Sequence, residues 1–195
     1  DSADDAGWRA RGHLLGLTQA TLSAAKIEFA GSGRILRAPT GNVVGGTLRY
    51  GAHDLAMADP ALAQAVGSWL NGHVLFQWQE GGGVLRLPDI AVRGDGYRAT
   101  GGVFLGGLDR DLRITVRAKA DVDSMARFSA LADRPLAGSG TVSINGSGSP
   151  LTGAFDGKVD LRGSDLAAGI AEVDNLLKGS STIAVSARRD ETGTT

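Results

Sequence analysis

The sequence contains no cysteine. That excludes a disulfide framework, a zinc–thiolate site and thiolate catalysis. It leaves the redox compartment open. No run of 18 apolar residues occurs, so no segment reads as a helix that spans a bilayer. Charge of one sign is also missing. Lys and Arg total 20, Asp and Glu total 21, and the net charge is −1. A nucleic-acid binder would carry a basic stripe, so that class is excluded as a partner. Proline is scarce, at 5 of 195 residues, and aromatics make up 5%. The opening Asp1-Ser2-Ala3-Asp4-Asp5 does not read as a signal peptide, and the chain is expected to be a section of something longer.

Glycine is abundant, with 30 residues, about twice the usual share of about 7%. Much glycine with little proline points to many short turns or bulges between strands. The strongest pattern is alternation with period two. Through Leu112, Ile114, Val116, Ala118 and Ala120, every second residue is apolar, and the residues between are charged or hydroxylic. From Leu151 through Phe155, Val159 and Leu161 the pattern repeats, with Thr152, Asp156, Lys158 and Asp160 on the other parity. Weaker versions occur at Ile27/Phe29, Leu48/Tyr50, Val74/Phe76/Trp78, Ile90/Val92, Val142/Ile144 and Ile183/Val185. A strand sends alternate side chains to opposite faces, so each segment has one dry and one wet face. Turns are expected at Gly31–Gly33, 80–83, 94–96 and 145–148, giving an antiparallel meander of ten or more strands.

Three segments have helical spacing instead. Asp59-Pro60 reads as a helix start, with Leu62, Val66 and Trp69 on one side. A second helix is expected over 123–132 and a third over 166–178, with Gly179 as its left-handed stop. Leu70-Asn71-Gly72, Leu136-Ala137-Gly138 and Leu177-Lys178-Gly179 share a Leu-x-Gly ending, and Asp54-Leu55-Ala56 matches Asp165-Leu166-Ala167. The chain thus reads as one β-rich segment built from irregular units, about 1–72, 73–138 and 139–195. The uneven spacing excludes a tight solenoid. After the strand 181–188 and the turn 190–193, a partner strand should follow.

Catalytic and metal-ligating patterns are weak. His13, His53 and His73 have no ligand spacing, and no metal site or cofactor is expected from them. Asp121/Asp123, Asp156/Asp160 and Asp109/Asp111 fit the wet parity or turns better than the carboxylate pair of a glycosidase. Gly101-Gly102 and Gly106-Gly107 are not followed by the Lys-Ser/Thr of a phosphate loop. Trp69 and Trp78 are expected to pack where helix meets sheet, and Arg188-Arg189 flanks a turn. The chain does not read as an enzyme.

The segments Pro135–Val142, 151–157, 163–167, 174–179 and 188–193 together resemble the TamB family, within the wider AsmA-like group. That resemblance implies an elongated, curled antiparallel sheet (a β-taco) with an apolar concave groove and short amphipathic helical inserts. It implies a periplasmic rod of a Gram-negative envelope, anchored in the inner membrane by a helix outside this segment. Its implied partners are phospholipid acyl chains and an outer-membrane barrel of the Omp85 type, TamA-like. The implied role is lipid transport to the outer membrane and its assembly. An alternative is a scaffold that templates outer-membrane β-strands by strand augmentation.

The residues alone leave a choice between a closed sandwich or barrel, in which the alternating side chains are core, and an open sheet with a dry groove. In the second case the groove lining is Val74, Phe76, Trp78, Leu112, Ile114, Val116, Val142, Ile144, Leu151, Phe155, Val159, Leu161, Ile183 and Val185. A one-residue register slip would turn each set to the wrong face. A parallel β-helix of the adhesive or carbohydrate-active kind fits the hairpin-rich pattern least.

Overall fold

The computed structural model describes residues 5–39, 41–108, 111–190 and 193–194. Eleven strands follow one another across a single antiparallel sheet. They are β1 (Asp5–Thr18), β2 (Leu22–Ala38), β3 (Gly41–His53), β5 (Trp69–Gln79), β6 (Val84–Gly94), β7 (Tyr97–Gly106), β8 (Arg113–Val122), β9 (Ala137–Ser149), β10 (Ala154–Ala167), β11 (Ser180–Asp190) and β12 (Gly193–Thr194). The two-residue β4 (Ala56–Met57) pairs with β2 off this path. β1 and β12 end the order and do not meet, so the sheet is open, not a barrel, and no second sheet covers it. All of its ladders are antiparallel, which excludes a β-helix.

Tight turns at 80–83 and 150–153 join strands at one end, and those at 19–21 and 95–96 at the other. The helical inserts all lie at the other end: α1 (Pro60–Val66), α2 (Ser129–Ala132, preceded by a 3-10 turn at Met125–Phe128) and α3 (Ala171–Leu176). α1 begins as the sequence indicates. The Asp59 carboxylate accepts from the Ala61 and Leu62 amides at 2.8 and 3.3 Å, with Pro60 behind it. It is shorter than the apolar spacing implies, because Gly67 turns left-handed (φ 82°); Trp69 therefore opens β5. Asp133 (φ 51°) stops α2 in the same way. The third helix is shorter still, because Leu166 and Ala167 belong to β10 and Gly169 (φ 72°) breaks the chain before α3.

The Asp-Leu-Ala repeat has a structural meaning. Asp54 and Asp165 are both left-handed, at φ 52° and 51°. Each insert is tied across its base by a 2.8 Å hydrogen bond, from the Leu55 amide to the Ser68 carbonyl and from the Asp165 amide to the Gly179 carbonyl. Arg127 locks two inserts to the sheet. Its guanidinium donates to the Ala65 carbonyl at the end of α1 and to the Asp95 carbonyl in the β6–β7 turn, and it stacks 4.7 Å over the Tyr97 ring. The buried apolar residues Ala52, Ala65, Val122 and Leu166 lie at this helical end.

Two glycine-rich stretches differ from the sequence reading. Gly31-Ser32-Gly33 lies in mid-strand in β2, and 145–148 lies within β9, whose turn falls at 150–153 instead. Leu70-Asn71-Gly72 is likewise inside β5. Glu80–Gly82 and the Gly94–Tyr97 hairpin are turns as expected, and β12 supplies the partner strand at the end of β11.

Candidate functional site

Cross-strand partners share a face, so the registers assign every side chain. One row runs Ala10, Gly31, Leu48, Val74, Ile90, Gly101, Ala118, Ile144, Val159, Val185, and no polar residue interrupts it. The neighbouring row on the opposite face runs Arg11, Ala30, Arg49, His73, Ala91, Thr100, Lys119, Ser143, Asp160, Ala184. The sheet therefore has one apolar and one polar face across ten strands.

Of the fourteen residues named from the alternation, Val74, Phe76, Trp78, Ile114, Val116, Val142, Ile144, Phe155, Val159, Leu161, Ile183 and Val185 all share the apolar face. Leu112 stands just before β8, outside the ladder. Leu151 is a correction: it lies in the β9–β10 turn, 67% exposed, because left-handed Gly153 (φ 70°) delays β10 to Ala154. The strand parity also adds Trp8, Phe29, Tyr50 and Tyr97 to the apolar face, and these were not singled out as lining. Trp78 sits near the tight-turn end of β5, away from the helices it was expected to meet.

Among the described residues no second layer covers this face and no large side chain is fully buried; Leu14, Phe29, Ile144, Phe155, Val159 and Val185 on it are 39–58% exposed. The helices pack at the strand ends and against one another.

Backbone crowds several glycines of the apolar face. A methyl group on Gly33, Gly46, Gly72, Gly101, Gly140 or Gly163, all apolar-face positions, would lie under 3.0 Å from backbone atoms of the next strand. On the polar face Gly7 has 3.9 Å to the nearest atom, Gly51 3.5 Å and Gly45 3.4 Å, while Gly102 meets the Pro88 and Leu87 carbonyls at 3.0 and 3.1 Å. The close approaches fit a curled sheet. Glycine is what these sites demand, since any other residue would push the strands apart. The bare positions also seat aromatic rings. Trp8 lies over Gly33 and Gly46, donates its indole N–H to the Gly45 carbonyl at 3.2 Å, and brings its ring to 5.8 Å from that of Phe76, three strands away. Tyr50 reaches across Gly72 to donate to the Ala91 carbonyl at 3.3 Å. Burial pushes the phenols of Tyr50 and Tyr97 above the ordinary tyrosine range, with Arg127 partly opposing this at Tyr97.

The polar face carries the ion pairs: Lys26–Glu28, His73–Asp89 at 2.9 Å, Arg98–Asp121 at 2.9 Å and Lys158–Asp160 at 3.0 Å. Asp121 also accepts from the Thr141 hydroxyl at 2.6 Å, and this bond with that from Arg98 holds its carboxyl below the usual carboxylate range. His13 and His53 lie on this face, apart from His73 along the strands. Among the described residues no three His, Asp or Glu side chains converge as a metal cluster would; Asp109, of the Asp109/Asp111 pair, lies outside them. No helix among the described residues is long and apolar enough to cross a membrane. No family model, no curated protein and no solved structure matches this chain.

Proposed function

We propose that the chain is a section of a TamB-like, periplasm-spanning bridge that holds phospholipid acyl chains against its apolar face on their way to the outer membrane. One observation carries this reading: an apolar face continuous over ten strands and, among the described residues, left without a covering layer. A strand face of this kind must be covered by something, and exposed apolar patches of this extent mark binding surfaces. Each buried CH₂ contributes about 0.8 kcal/mol, so a 16-carbon tail gains roughly 10 kcal/mol before ordering costs. The central rows offer Val, Ile, Leu, Ala and Gly with no charge, so tails would slide along them without head-group selectivity. That behaviour suits a conduit better than a storage pocket.

Phospholipid should copurify with the protein and be seen by native mass spectrometry or solvent extraction. Val116→Asp and Phe155→Asp should each abolish lipid copurification and photocrosslinking, while urea denaturation shows a stability loss of no more than about 2 kcal/mol. Lipid retained by both folded variants would refute the proposal.

The strand-augmentation reading has its own support. β1 pairs only with β2, and β11 meets β12 only at Arg189 and Asp190, so long backbone edges are left unpaired among the described residues. If that reading holds, proline at Ala184 on β11 impairs client assembly with an Omp85-type barrel and Val116→Asp does not. The acyl-chain reading requires the reverse.

A further inference from the structure

The polar face holds a recess of about 690 Å³, opening over β6 to β9. Its origin is local. The pairing of β6 slips against β5 between Leu75 and Gln77, and against β7 between Leu87 and Ile90. One extra residue at Pro88 forms a bulge, which bends the strand and parts the side chains beside it. Proline fits there because a bulge leaves an amide without a ladder partner. The Asp89 carboxylate turns to His73 on the β5 side and does not line the recess.

What does line it is one-signed. The charged groups of the wall are Arg86, Arg117 and Lys119, and no carboxylate is among them. Arg86 is held in place, its guanidinium 5.5 Å over the Phe104 ring. Arg117 and Lys119 leave β8 two residues apart on the same face. The next carboxylate along β8, Asp121, is already engaged by Arg98 and Thr141. Three other recesses on this face include carboxylates, Glu28, or Asp121 with Asp123, or Asp111, Asp156 and Asp190, while the one at β1 and β2, with Arg9 and Arg34, does not. Between them the wall offers neutral hydrogen-bonding groups, Thr100, Thr115, Ser143 and Asn145, on an otherwise apolar lining that includes Leu87, Pro88, Val103 and Phe104.

We propose that this recess binds a sugar phosphate. The phosphate sits against Arg86, Arg117 and Lys119, where an anion relieves the mutual repulsion of three cations. The sugar hydroxyls meet Thr100, Ser143 and Asn145. The volume lies within the range of small-ligand sites and exceeds what a bare phosphate needs. The site is on the opposite face from the acyl-chain surface, so it stands or falls independently of the lipid reading.

The test is calorimetric titration of the chain at low ionic strength with glucose 1-phosphate, glucose and inorganic phosphate. Glucose 1-phosphate should bind at least tenfold more tightly than either of the others, and weaken as salt rises. The double variant R117S/K119S should lose at least tenfold in affinity with an unchanged circular dichroism spectrum. Arg9→Ser, on the same face but at β1, should leave binding unchanged. Equal affinity for inorganic phosphate would overturn the sugar assignment. Equal loss in Arg9→Ser, or binding only to anionic vesicles and not to glucose 1-phosphate, would overturn the site.

Discussion

The strands β1–β7 and β8–β11 present the same apolar face in two ways. Over the first group the face is paved with rings: Trp8, Phe29, Tyr50, Phe76, Trp78 and Tyr97. Each of Trp8, Phe29, Tyr50 and Tyr97 lies across a glycine of its own or a neighbouring strand (Gly33 and Gly46, Gly12, Gly72, Gly94). Over the second group Phe155 is the only ring, and the floor is Val, Ile, Leu, Ala and bare glycine. The row Val116, Gly146, Gly157, Ala187 shows this most plainly. Nothing lies within 4 Å of where a Gly157 side chain would be, and the nearest atom to one at Gly146 is a carbonyl oxygen at 3.3 Å. Glycine thus serves two ends in one sheet. In the first group it seats a ring; in the last strands Gly140 and Gly163 are still crowded by backbone, but Gly146 and Gly157 leave space. If tails occupy the apolar face, the last four strands are where that space lies.

The sharpest way to break this comparison is to put the same side chain on one glycine of each kind. Gly33→Val places methyl groups against the Gly45 carbonyl, the Gly46 backbone and the Trp8 indole. Overpacking of a site already closed by backbone costs about 3 kcal/mol or more, so the urea midpoint should fall far enough to leave little folded protein at 37 °C. Gly157→Val meets nothing. A β-branched residue in a strand interior there should change stability by no more than about 1 kcal/mol, toward stabilisation. It should nevertheless reduce copurified lipid, because it raises the floor. Equal destabilisation by the two variants would erase the distinction between the regions.

Trp8→Ala is the intermediate test. The indole is half-buried, so its loss should cost less than the 3–5 kcal/mol typical of a buried Trp, about 2 kcal/mol. The more informative readout is lipid. Removing the indole bares Gly33 and Gly46 and makes the first strands resemble the last, so lipid bound per chain should rise. A fall would mean that Trp8 holds lipid instead of occupying its place.

Much of this was legible in the sequence, for a physical reason. Period two survives any strand length, so the parity of Ile114 and Val116, or of Phe155, Val159 and Leu161, fixed a shared face before any register was known. The bulge in β6 interrupts that parity: it adds one residue beside Pro88, so odd-numbered Leu85 and even-numbered Ile90 face the same way. The reading failed where glycine was taken only as punctuation. Gly31 and Gly33 continue the parity of Ile27, Phe29 and Ile35, and that continuity was the available signal that they lie inside a strand. The first and third helices were read too long because apolar spacing ran past residues that stop a helix by backbone geometry, Gly67 and Gly169. Leu151 had the right parity but the wrong side of Gly153. The crowding at Gly33, Gly46 and Gly72 had no local signal, because it depends on which residues meet across the ladder.

The smallest expected effect belongs to the polar face, which the comparison treats as uniform. Asp121 on β8 is held ionised by the Thr141 hydroxyl on β9 and Arg98 on β7, so it ties three strands where the two regions join. Its folded-state pKa is lowered. The unfolded chain therefore binds this proton more readily, and the contribution to stability is present above the ordinary aspartate range. It is lost as the pH falls through that range and then through the lowered folded value. Wild type should lose stability over this acid window, and Asp121→Asn should lose measurably less across the same window while starting from a lower value at neutral pH. The group is solvent-exposed, so the difference should shrink further in high salt. Parallel stability curves for the two proteins over that pH range would show that this junction is held by the backbone ladder alone.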